Sequence, residues 1–195
     1  MGAISKRKTA AALLSVAPLA VAMLVASSCA PAPEDGRLTT LKTRPDEGAF
    51  KTGNVSYFLE RRCGTLDCHG RLERPLRIYG AYGLRLPNDA GIVPSDTPAT
   101  AAEQTANYRS VLGLEPEQLN RVMTGDDPNI LLLISKPLAY DPERKETQNG
   151  VRHRGGPQII RNQDGYRCLY DWLKGAFTDA SAQACRTAGD ALAPK

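Results

Sequence analysis

Cys63-Gly64-Thr65-Leu66-Asp67-Cys68-His69-Gly70 is the stretch whose reading decides the fold. Two thiols are followed at once by an imidazole. Thiols add across vinyl groups, and an imidazole fixed beside the second sulfur is held beneath the ring those sulfurs carry. This is the footprint of covalently attached c-type haem, with His69 as proximal ligand. Four residues separate Cys63 from Cys68, where two are usual. The vinyl groups do not move, so the extra residues are expected to bulge outward, which Gly64 eases. Gly70 is expected to give the backbone room to turn close to the ring face. The same residues admit a plain Cys63–Cys68 disulfide in an exported protein, or a different metal site. The adjoining histidine is what favours haem.

The N-terminus carries Lys6-Arg7-Lys8 and then an apolar run over residues 10–26. That is the charged region and apolar core of an export signal. Val25-Ala26-Ser27-Ser28-Cys29 follows and resembles the lipobox of bacterial lipoproteins, in which the cysteine takes lipid and becomes the new N-terminus. A membrane-spanning anchor is the competing reading, but Pro18 interrupts a run barely long enough to span; cleavage without lipid is another. Ala30 is not the acidic residue that retains some lipoproteins at the inner membrane, so the outer membrane is expected, on its periplasmic or surface face. Residues 1–28 thus read as signal peptide and residues 29–52 as a flexible tether.

The five cysteines fit that layout. Cys29 is assigned to lipid, Cys63 and Cys68 to haem, and Cys168 and Cys185 to a disulfide in an oxidising compartment. The count equally suits two disulfides and no haem. Aromatics are only 6% of the chain, while glycine (17) and proline (14) are plentiful. A core with long irregular connections is expected, and a large apolar cofactor would supply what the side chains lack. Of 25 basic residues, three leave with the signal, which sets 22 against 21 acidic ones. Nothing in that balance argues for nucleic acid, and no nucleic-acid partner is expected.

Residues 53–178 read as an all-α domain with long irregular loops. Asn54 is expected to cap a helix to about residue 62, with Val55, Phe58 and Leu59 on one face. Residues 71–85 alternate basic and apolar side chains, as extended chain or a short hairpin; Arg71, Arg74, Arg77 and Arg85 either grip haem carboxylates or form a solvated basic face. Thr100 or Pro98 opens a helix to Leu112, and Pro116 starts another that ends at Met123. A turn at residues 125–129 leads into a short buried helix over 130–134, and residues 136–149 form a long loop. Asp164 is expected to cap a final helix to about residue 176. Its apolar stripe is Tyr166, Leu169, Tyr170, Leu173 and Phe177, with Cys168 and Trp172 on another face. Residues 179–195 read as a tail pinned by Cys168–Cys185.

With these residues in hand, the chain resembles the planctomycete-type cytochrome-c-like domain. The counterparts are Cys68-His69-Gly70, Gly125-Asp126-Asp127-Pro128 with Ile130-Leu131-Leu132-Leu133, and Trp172-Leu173-Lys174-Gly175-Ala176, spanning roughly residues 53–177. The resemblance implies a small cytochrome-c-like helical fold, one covalent haem c, and single-electron exchange with other exported redox proteins. That family supplies a Met-Pro-Pro ligand segment before the last helix; this chain has His153-Arg154-Gly155-Gly156-Pro157.

Candidates for the iron's other side are His153, Met123, or an open position. Met1 and Met23 leave with the signal, so Met123 is the remaining methionine, and His153 is the second of two histidines. His153 sits in the expected loop beside glycines, whereas Met123 lies on a helix and equally suits core packing. Three functions follow. With both sides filled, the protein is a carrier. With His69 alone it is a haem enzyme or sensor. Without haem it is a disulfide-stapled surface lipoprotein, a scaffold or adhesin. No phosphate loop or nucleophile–base signature supports a kinase or hydrolase.

Overall fold

Caps and glycines decide where helices begin and end in this chain. The computed structural model describes residues 39–95, 97–138 and 153–191. Over these residues the protein is all-α, as expected, with seven α-helices and one 3-10 turn. The only extended pairings among them are isolated bridges, Tyr79 with Leu84 and Leu138 with Ile159. The signal segment and Cys29 lie outside the described residues. None of the described helices is long and apolar enough to cross a membrane.

The tether expected to reach Thr52 gives way earlier to packed structure. Helix α1 spans Glu47–Thr52, and the Asp46 side chain accepts from the Ala49 N–H at 2.5 Å as its cap. Phe50, within it, is fully buried. Its ring meets Tyr108 at 5.4 Å and Trp172 at 5.1 Å between centroids. Such aromatic contacts add to the apolar area buried. The Trp172 indole N–H donates to Asp46 O at 2.8 Å, and the Tyr108 hydroxyl to Pro45 O at 2.6 Å. The polar tips of two core aromatics therefore clamp the backbone that starts α1.

Helix α2 spans Val55–Cys63 and ends on the first motif cysteine. Val55, Phe58 and Leu59 are its buried face, as the spacing predicts. Asn54 opens it differently from expectation: it is left-handed at φ 67° and makes no side-chain cap bond. Its amide donates instead to Ala182 O at 3.4 Å. Helix α3, Ala101–Leu112, begins at Thr100 with a reciprocal capping box to Glu103. Helix α4 is Pro116–Met123, with proline in its first turn. The expected short helix over 130–134 is two pieces, a 3-10 turn Pro128–Ile130 and helix α5, Leu132–Ser135.

Helix α6 spans Asp164–Lys174, with Gln163 rather than Asp164 at the cap position. It is not the last element. The expected tail is a helix, α7, Asp179–Asp190, opened by Thr178 and Ser181. Cys168 and Cys185 are joined as expected, tying α6 to α7.

Between α2 and α3 runs an irregular segment, and three buried polar side chains satisfy its backbone. Glu60 accepts from Ala81 N at 3.0 Å and Ala99 N at 3.1 Å. Asn107 pairs with both backbone groups of Tyr79, at 2.6 and 2.9 Å. Glu103 accepts from Leu86 N at 2.9 Å and takes the Arg85 guanidinium with two bonds, at 2.8 and 2.9 Å. Buried backbone groups need partners, and here side chains replace a sheet.

Candidate functional site

The chain around Cys63 is shaped by its glycines and backbone bonds. His69 N donates to Cys63 O at 2.8 Å, while Cys68 N and Gly70 N both donate to Thr65 O at 2.9 Å. The loop is closed on itself, and the two residues pushed outward are exposed, Leu66 at 61%. That is the expected bulge. At Gly70 the structure adds a second constraint. A Cβ there would collide with the Gly64 carbonyl oxygen and come within 2.8 Å of Gly83 Cα. Backbone packs on backbone at this point, and only glycine permits it.

These constraints turn Cys63, Cys68 and His69 toward one cleft of about 780 Å³, counting space open to solvent, and His153 lines the same cleft. Phe58, Leu59, Leu76, Leu133, Ile159 and Leu169 supply apolar walls, with Arg62 and Lys136 as cations and no carboxylate among the described residues of the lining. Met123 is not in that lining; it packs against the core from the side. Cys63 and Cys68 are both free thiols. Burial pushes the Cys63 thiol up to about 12, the Cys68 thiol adds to this, and Arg62 opposes it.

The two imidazoles face each other across the cleft, with ring centroids 6.2 Å apart and planes within 18°. Two imidazoles bonded at about 2 Å to one metal lying between their Nε2 atoms would have centroids roughly 6 Å apart, allowing about 1 Å from each nitrogen to its ring centre. Parallel stacked rings reach the same spacing, so the distance matches ligation without by itself aiming the two lone pairs at one point. Each ring is oriented by a backbone carbonyl: His69 Nδ1 to Leu76 O at 3.0 Å, and His153 Nδ1 to Gly156 O at 2.7 Å. A carbonyl only accepts, so both Nδ1 atoms carry the proton. In a neutral ring, Nε2 is then left with its lone pair. Burial holds His69 below its usual pKa against the Leu76 bond, and His153, Arg74 and Lys136 lower it further. Carbonyl-oriented neutral imidazoles are the form that metals take.

Among the described residues, no three His, Cys, Asp or Glu side chains converge on a point that would hold a bare metal ion. The two sulfurs and two rings are spread around a cavity instead, an arrangement suited to a broad apolar group gripped at its edge and on both faces.

The four arginines read as either gripping haem carboxylates or forming a solvated basic face do not act as one set, and Arg71 and Arg77 are exposed as the second reading has it. Arg85 is consumed by Glu103, Arg71 pairs with Glu73 at the surface, Arg74 donates to Cys68 O at 3.0 Å, and Arg77 is exposed. The cations at the cleft, Arg62 and Lys136, carried no sequence signal, because their placement follows from how α2 and the chain after α5 meet. Most of the long loop leading to His153 lies outside the described residues. No protein-family model matches the chain, and neither does any curated protein or solved structure.

Proposed function

We propose that the chain is an exported monohaem c-type cytochrome with a cytochrome-c-like fold, passing single electrons between exported redox proteins. The observation that carries this reading is the pair of opposed imidazoles, each with Nδ1 tied to a carbonyl and Nε2 free to bind metal. Haem, when bound, supplies a one-electron couple at its iron. Cys63 and Cys68 hold its edge, His69 is the proximal ligand and His153 the distal one. The apolar walls exclude water from the ring, and Arg62 and Lys136 offer positive charge to any carboxylate brought to the lining. With protein ligands on both faces the site has no position for a substrate, so the protein is a carrier rather than a catalyst. Two imidazoles set a lower potential than an imidazole and a thioether. Cys29 provides the lipid tether to the outer membrane.

A pyridine haemochrome assay combined with intact mass tests this directly. The expected result, from a host competent in cytochrome maturation, is one covalent haem per chain. A colourless exported protein with Cys63 and Cys68 joined to each other would end the proposal. Carbon monoxide added to the reduced protein distinguishes the carrier, which resists it, from a haem enzyme or sensor.

A further inference from the structure

Both imidazoles lean on a carbonyl, but the two carbonyls are secured in different ways. On the His69 side, Leu76 and Ile78 are core residues, and Ile78 N donates to His69 O at 2.9 Å. That turn is welded to the interior. On the His153 side, Arg154, Gly155 and Pro157 are exposed, and Gly156 is left-handed at φ 72°. The turn contributes no core side chain of its own; Gly156 N to His153 O at 3.0 Å is its one internal backbone bond.

What grips it is Gln158. Its carboxamide donates to Gly155 O at 2.7 Å and reaches Gly156 O at 3.4 Å, the carbonyl that also receives the His153 Nδ1 proton. The backbone of Gln158 is itself anchored on both sides. Its N–H donates to Pro137 O at 2.8 Å, and its carbonyl accepts from Arg62 Nε at 2.8 Å. Arg62 sits one residue before Cys63, so the same link joins the distal turn to the helix that ends on the first sulfur. We infer that Gln158 is the positioning residue for His153: its carboxamide, anchored through Arg62 and Pro137, holds the Gly155 and Gly156 carbonyls that aim the distal imidazole. This rests on the haem reading above and adds a claim about which side of the iron opens first.

The test uses the matured full chain and compares wild type with Gln158→Ala, Gln158→Glu, His153→Ala and, as a remote control, Gln163→Ala. Each should carry one covalent haem. Wild type and Gln163→Ala should show a low-spin spectrum and resist carbon monoxide. His153→Ala marks the fully opened site. Gln158→Ala should gain a high-spin component and bind carbon monoxide about tenfold more readily, as loss of two hydrogen bonds implies. Gln158→Glu keeps the size but has no N–H to donate, and should behave like Gln158→Ala; it decides the matter alone if the alanine variant does not fold. A fall in melting temperature with an unchanged low-spin spectrum overturns the inference, since packing alone would do that. A His153→Ala spectrum identical to wild type also overturns it, while leaving haem attachment intact. A colourless wild type removes both this inference and the haem reading.

Discussion

At Gly70 a single hydrogen separates a closed motif from a clash. Gly64, Gly70 and Gly83 approach backbone to backbone, and a methyl at position 70 has no flexible neighbour to push aside. Gly70→Ala is expected to destabilise the fold by at least about 2 kcal/mol, measured by urea unfolding, and to lower haem loading with it. Glu103 is a second residue-scale test. Burial pushes its carboxyl up, but the Arg85 guanidinium and the Thr100 and Leu86 N–H groups outweigh that and leave it below the ordinary carboxylate range. Its folded pKa is thus under its unfolded value of about 4.3. The stability it contributes is complete above that value and is lost as pH falls toward the folded one. Gln at position 103 should flatten stability between pH 6 and pH 3, and Glu103→Ala, which strands a buried arginine, should cost roughly 3–5 kcal/mol. Urea midpoints across that range check both.

At the scale of elements, the helices with a cap written beside an apolar period were legible from residues alone. Thr100 with Glu103 and Pro116 mark α3 and α4 where the chain forms them. Helices α1 and α7 were missed for a physical reason. Six residues of α1 cannot show a period, and its worth comes from Phe50 reaching Tyr108 and Trp172, distant in sequence. Helix α7 is rich in alanine and small polar residues, so its buried side carries little apolar signal; Ala184, Ser181, Gly189 and Cys185 bury it by close approach. The disulfide secures that approach. Its 17-residue separation puts the loss on replacing both Cys168 and Cys185 by serine at about 3 kcal/mol. The expected sign is a lower urea midpoint; because α7 also packs on α2, through Asn54 to Ala182 O and the Tyr57 hydroxyl to Asp190, the loosening should reach the helix that ends on Cys63.

For the whole molecule, the cleft is an apolar surface set between α2, α5, α6 and the His153 turn, with two cations and no counter-charge among its described residues. A chain with so few aromatics leaves such a surface open to water unless something fills it. Anything that binds only the folded state stabilises it. The haem-loaded chain should therefore melt well above the same chain exported without haem, and scanning calorimetry of the two forms checks this. If both melt together, the cleft is not where the ring lies.

Read as a string, the chain determined its helical class and the candidacy of Cys63, Cys68, His69 and His153, since these depend on spacing and residue chemistry; Cys168 and Cys185 were named as partners only by elimination, and the fold is what brings them together. The packed start at residues 39–52 and the helical tail were decided in three dimensions, because the side chains that hold them come from distant elements. So was the choice of cleft cations, with Arg85 drawn inward by Glu103 and Arg62 and Lys136 left at the wall. Gln158 belongs there too: a carboxamide in a loop means nothing until folding sets two carbonyls and an imidazole within its reach.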